Sequence, residues 1–319
     1  MNGNSGLVNL GNTCYLNASL QIISHIPELN NYLLENNNYN ENIDKIITIE
    51  WLELYKIMWS NNCTISPKRF LYYSKEVSLK KNILFSGNDQ YDSIEYFNFI
   101  IDSFHSSLNN TNTLKLIKTN NKILNESIDL YEKTNSSIIH ILFTSFINYT
   151  YINSDTITFE FNKIEPTFSI ELSIPKISPI TIEDCLEYTY KPETMSDLWF
   201  DEKTKTNKPL IKYSKLCYLP HILVIHLKRW DYATLNKNNT LIHYNDVLDL
   251  FPYTEYNEKE NCKYELFGII NHEGNVLGGH YYSYIKKNNK WLCFNDSSIS
   301  LIQNFVSNNN YCLFYRKIK

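Results

Sequence analysis

The chain has 319 residues, 43% hydrophobic and 20% charged, with 25 Tyr, 16 Phe and a formal net charge of −4. That length buries a sizeable core, and the balance excludes both a disordered chain and a basic nucleic-acid binder. Seven cysteines, an odd number placed singly with no Cys-x-x-Cys pair, exclude a disulfide framework and an obvious zinc ribbon.

The N-terminal "MNGNSGLVNLGN" lacks the basic and apolar regions of a signal peptide. No apolar run reaches the length of about eighteen residues that a membrane span needs, so no membrane association is expected. The expected location is intracellular, in cytoplasm or nucleus, or in host cell or virion for a viral source. In "GLVNLGNTCYLNASLQ" (6–21), Gly11 and Asn12 permit a tight turn and Thr13 is a candidate cap. Leu16, Leu20 and Ile23 then recur at helical spacing, with Pro27 beyond the end. The Asn-rich stretches 30–42 and 109–121 read as surface loops or inserts. Ile94, Phe97, Ile101 and Phe104 give a helix within 89–108.

From about residue 138 the pattern changes to strands. "TFSIELSIP" (167–175) alternates, "HILVIHLKRW" (221–230) is a short apolar run, and 264–274 and 278–296 read as strands with turns. Helices first and antiparallel strands later predict an α+β protein. Residues 1–137 would form a mainly helical lobe and 138–319 a strand-rich part of a single domain spanning 1–319, with the cleft between them as the place for chemistry.

Cys14 falls in the first turn of its helix, where unpaired N–H groups and the dipole favour a thiolate. A lone cysteine is ordinarily a small buried hydrophobe, so the surroundings decide. The same turn offers backbone donors to an oxyanion, and Asn9 adds a side-chain amide. His280 follows Gly278-Gly279 and opens a strand. If Lys286–Asn289 form a four-residue loop, His280 falls opposite Asn295; a two-residue loop at Asn288-Asn289 shifts the register by two and keeps both on one face. In either register Asn295 can accept the imidazole N–H and orient the ring.

These segments resemble those of the ubiquitin-specific proteases, papain-like deubiquitinating enzymes. "GLVNLGNTCYLNASLQ" is similar to their cysteine box and "LGGHYYSYI…WLCFNDSSIS" to their histidine box. "GNDQYDSIEYFNFIIDSFHSSL" (87–108) resembles a Gln-x-Asp-x-x-Glu-Phe-Leu segment, and "LPHILVIHLKRW" (219–230) a Leu-Pro-x-x-Leu-x-x-x-Leu-Lys-Arg-Phe strand. The four motifs cover nearly the whole chain in the family's order.

The resemblance implies a helical thumb, a β-rich palm and extended β fingers. It implies hydrolysis after the C-terminal Gly-Gly of ubiquitin, with Cys14 as nucleophile, His280 as base, Asn295 as orienter and Asn9 as oxyanion donor. Asp296 would assist the oxyanion or His280. Asp92 and Glu95 would grip the arginines of the tail Leu-Arg-Leu-Arg-Gly-Gly, and Trp230 would set an aromatic against it where phenylalanine is usual. His272 would contact the tail, and Gly278, Gly279 and Tyr281 would line a channel too narrow for side chains.

The implied partners are ubiquitin and ubiquitinated proteins or ubiquitin chains, and no cofactor is implied. Two other readings remain: an inactive ubiquitin-binding scaffold, and the same chemistry on a ubiquitin-like modifier. One departure from the family concerns its fingertip cysteine pairs, whose positions fall near Ile157 and Glu160, then Asp201 and Thr204, so zinc is not expected there. His25, His105, His140, His221, His226 and His243 have no such context and read as structural or solvated.

Overall fold

A computed structural model describes residues 3–36, 38–83, 85, 89–110, 114–231, 233–256 and 261–318. The first lobe is built from α1 (Cys14–Ser24), α2 (Pro27–Glu35), α3 (Lys45–Ser60), α4 (Lys68–Lys80), α5 (Ser93–Leu108), α6 (Lys122–Glu132) and α7 (Ile138–Phe143). All 11 residues of α1 are buried, because the helix runs through the core between α5 and the sheet instead of lying on the surface. Each fully buried Leu or Ile in it contributes about 2 kcal/mol. Its buried polar side chains find partners: Gln21 Nε2 donates to Ser5 O at 2.8 Å and Ser24 Oγ to Gln21 O at 2.9 Å.

The larger part is mostly strand: β1 (Ser145–Asn153), β2 (Phe159–Thr167), β3 (Ile170–Leu172), then helix α8 (Ile182–Tyr190), β4 (Leu210–Tyr218) and β5 (Ile222–Leu227). These are followed by β6 (Lys263–Asn275), β7 (Gly278–Lys287), β8 (Lys290–Asn295), β9 (Ser298–Ile302) and β10 (Asn310–Lys317). The palm sheet has the order β9-β8-β7-β6-β10-β5-β3, with the short strand Val247–Asp249 also on β6. Its alternate faces supply two cores. Tyr281, Ile285 and Phe294 pack toward the helices, while Ile269, Trp291 and Leu313 belong to the second core with α8.

A separate sheet, β2-β1-β4 with Glu193–Thr194, forms the fingers. At its tip Lys208 Nζ lies 2.9 Å from Glu160 Oε2 and 2.8 Å from Asp201 Oδ2. Thr204 Oγ1 donates to Asp201 Oδ2 at 2.8 Å, and Tyr151, Phe161 and Trp199 stack alongside. Ile157, Glu160, Asp201 and Thr204 therefore do not fit a structural zinc: they offer no thiolate, and an ammonium already bridges the two carboxylates.

Several expectations change. The stretch 30–42 is not a loop throughout, since α2 runs to Glu35. Asn30 is buried there, donating to Ile23 O and Ile26 O and accepting from Trp51 Nε1. Residues 111–113 of the second Asn-rich stretch lie outside the described residues, while 114–121 carry no helix or strand. Of the strand expected over 167–175, Thr167 ends β2 and only Ile170–Leu172 form β3, and the strand-rich half contains α7 and α8. The β7–β8 connection is the two-residue loop: Lys287 pairs Lys290, and Asn288 and Asn289 both have left-handed φ, 50° and 59°.

Candidate active site

The loop before α1 is organised by Asn9. Its Oδ1 accepts from Gly11 N at 3.0 Å, Thr13 N at 3.2 Å and Thr13 Oγ1 at 3.3 Å. Gly11 (φ 94°) and Asn12 (φ 53°) supply the left-handed pair that reverses the chain. Thr13 occupies the cap position, but its side chain does not cap the helix: Oγ1 accepts from Leu10 N at 2.8 Å instead. Cys14 then opens α1, 4% exposed.

Across the cleft, the two-residue loop sets a β7–β8 ladder that ends at Ser283–Phe294, so His280 and Asn295 lie just past its end on one face. His280 Nε2 lies 2.6 Å from Asn295 Oδ1 and 4.0 Å from Asp296 Oδ2. Because Oδ1 only accepts, Nε2 carries a proton, and Nδ1 is the nitrogen left for the sulfur. The hydrogen bond with Cys14 is the largest influence on His280; burial opposes it, and Asn295 and the nearby Asp296 charge add to it. The imidazolium is held up to about 9.

Asp296, with φ 49°, gathers the surrounding loops. Its Oδ2 accepts from Asn9 Nδ2 at 3.0 Å, its Oδ1 from Asn17 Nδ2 at 2.8 Å, and its backbone O from Leu7 N at 2.9 Å. Asn17 was not legible as a site residue: it sits one turn into α1, among apolar positions, and only the fold turns it toward Asp296. The structure thus brings Asn9, Cys14, His280, Asn295 and Asp296 together from both ends of the chain.

Beside them, a cavity of about 200 Å³ is lined by Asp92, Glu95, Trp230, His272, Gly278 and Tyr281. Asp92 caps α5 through Oδ1, accepting from Ile94 N at 2.9 Å. Its Oδ2 accepts from Tyr311 OH at 2.5 Å and Trp230 Nε1 at 3.3 Å. Tyr311 spends its one proton on Asp92, so the contact with His226 Nε2 at 2.9 Å is donated by the histidine. Glu95 stands at the exposed rim of the wall, where partial loss of water around its carboxyl and then the Asp92 charge push its pKa up.

His272 is buried against Trp230 and Tyr281, at ring distances of 4.8 and 4.6 Å. Burial first, then Lys237 and His280, lower it to about 4, so the ring is neutral. Gly279 is required by this ring: a Cβ there would lie 2.3 Å from His272 Nε2 and Glu273 O. The expected structural histidines include His25, His105 and His140, all buried and hydrogen-bonded.

A thumb of helices, a strand palm and a cysteine at a helix start facing a strand histidine define the papain-like class of thiol hydrolases. The chain is matched from residue 5 to 315 by the family model "Ubiquitin carboxyl-terminal hydrolase" and belongs to that family. It is 29% identical to ubiquitin carboxyl-terminal hydrolase Usp2 of Drosophila melanogaster, over 99% of this chain and 35% of that protein. It is 25% identical to a probable ubiquitin carboxyl-terminal hydrolase of Acanthamoeba polyphaga mimivirus, over 98% of this chain and 90% of that one. The chain thus spans about a third of the length of the fly relative and most of the viral one. A chain of the solved SAGA DUB module Ubp8/Sgf11/Sus1/Sgf73 bound to monoubiquitin superposes with a TM-score of 0.78 at 23% identity, over 100% of this chain and 70% of that chain.

Proposed function

We propose that this protein is a deubiquitinating cysteine protease that cuts the isopeptide or peptide bond after the terminal Gly-Gly of ubiquitin. The observation that carries the reading is the His280 ring, hydrogen-bonded to Asn295 at 2.6 Å and held protonated chiefly by its interaction with Cys14 at the start of α1. Family membership and the likeness to a ubiquitin-bound module support the choice of substrate.

In this reading a protonated His280 is the counter-ion of the Cys14 sulfur anion. The sulfur attacks the carbonyl carbon of the last glycine, and the electron pair moves to the oxygen. That oxyanion is met by the Cys14 N–H, which has no intrahelical acceptor at a helix start, and by the second Asn9 N–H, the first being held by Asp296. His280 gives its proton to the leaving lysine amine, the C–N bond breaks, and a thioester remains. Water then attacks the thioester while His280 takes its proton, and the C–S bond breaks to release the carboxylate. Asn295 keeps the ring in the tautomer and orientation both steps need. Glu95 is the exposed carboxylate for a cationic tail residue, and Asp92, already bonded to Tyr311 and Trp230, sets the shape of the wall.

The test is turnover of ubiquitin bearing a C-terminal fluorogenic group by the protein and by Cys14→Ala. Release by the parent alone is expected. Silence from the parent, or equal release by the variant, sinks the assignment, and parallel ubiquitin-like substrates show whether the modifier is ubiquitin.

A further inference from the structure

Gln90 also joins the two walls of the cleft, at a position one residue from His280. It lies two positions before the Asp92 cap of α5, on the thumb, and its Oε1 accepts from Gly279 N on β7 at 2.7 Å. The same oxygen would be 2.8 Å from a Cβ on Gly278, so the amide rests on the face that this glycine leaves bare. Gln90 also lines the 200 Å³ cavity with Asp92 and Trp230.

The bonded N–H belongs to an open sheet edge. On the β6 side, β7 is paired from Gly278 to Ile285, but its ladder with β8 begins only at Ser283, opposite Phe294. Residues 278–282 therefore have no described strand beside them on that side, and such an edge is a template for an extended chain. A side-chain amide is the closest chemical imitation of a peptide group, with the same acceptor and donors. Gln90 satisfies the edge from the opposite wall.

We propose that Gln90 is a latch that stands in for a substrate peptide group, and that an extended substrate tail displaces it to hydrogen-bond Gly279 N–H on the way to Cys14. This rests on the deubiquitinase reading for its occupant. The latch makes the free cleft self-satisfied, so a chain enters only if it offers a backbone carbonyl in extended form and no side chain toward Gly278. A peptide with a bulky residue there loses the Gly279 bond and leaves the latch in place.

The experiment compares ubiquitin binding by calorimetry in Cys14→Ala with that in Cys14→Ala carrying Gln90→Ala or Gln90→Met. Both second changes remove the competing acceptor, and Met keeps the volume. Both are expected to tighten binding by roughly 3- to 10-fold, the worth of one ordinary hydrogen bond. Equal or weaker binding overturns the proposal, as does tightening by Ala alone, which would trace to bulk instead of the bond. In the free protein, amide exchange at Gly279 should quicken in Gln90→Met, and an unchanged rate overturns the latch by a route that needs no substrate. If no variant binds ubiquitin, the functional reading fails and the competition fails with it.

Discussion

Two polar clusters tie distant segments together here, one in the cleft and one at the fingertips, and they use different chemistry. At the fingertips Lys208, with a side chain 20% exposed, bridges Glu160 and Asp201, 13% and 8% exposed. In the cleft, side-chain amides from Asn9, Asn17 and Asn295 surround one carboxylate, Asp296, and one histidine. An ion clasp fixes strands but would also fix the protonation of anything beside it. Neutral amides orient a group while leaving it free to gain and lose a proton, which the role proposed for His280 requires.

The comparison predicts that cleft changes cost turnover and fingertip changes cost order. Cys14→Ala should abolish turnover, by more than about a thousandfold, while the protein still folds, as circular dichroism would show. Asp296→Ala frees the Asn9 and Asn17 amides together and should lower kcat by roughly 10²–10³-fold, the loss of one oxyanion donor. Asn295→Ala leaves the oxyanion group intact but the ring unoriented. A smaller fall of about 10- to 100-fold is expected, and a larger effect than that of Asp296→Ala would invert this ranking.

The two regions should also fail at opposite ends of the pH scale. Folding raises His280 from 6.5 to about 9, so the stability it contributes is complete below 6.5 and is lost as pH rises through 9. Turnover should fall along the same alkaline limb, by about tenfold per pH unit above pH 9. Hydrogen bonds from Lys208, then Thr204 and Lys203, hold the Asp201 carboxyl below its ordinary 3.8, so its contribution is present above 3.8 and is lost as pH falls further. Acid should therefore loosen the fingers, seen as faster proteolysis between β1 and β4. The smallest effect expected is that of Lys208→Met. It should lower the melting temperature by only a few degrees and quicken the same proteolysis, with the fluorogenic substrate still cleaved; protection equal to the parent's would show that the aromatic stack alone holds the tip.

What the sequence disclosed and what it hid follow from the range of the interactions. Cys14, His280 and Asn295 stand in short stretches whose glycines, turn residues and alternation carry local geometry. The parity of the β7–β8 register was legible, but its length was settled by two asparagines taking left-handed φ. Helix α7 is rich in β-branched residues and reads as strand; Ser137, accepting from His140 N, caps it. Helix α8 is held by a capping box between Thr181 and Asp184. Asn17, Gln90 and Lys208 could not be read as a group with Asp296, Gly279 and Glu160, because those partners lie 279, 189 and 48 residues away.

The burial of α1 along its whole length has a final consequence. The hydrogen-bonded amides beyond its first turn should exchange only through the largest opening the domain makes, so Cys14 opens a segment anchored along its whole length. Heat should then remove activity and global structure at one midpoint.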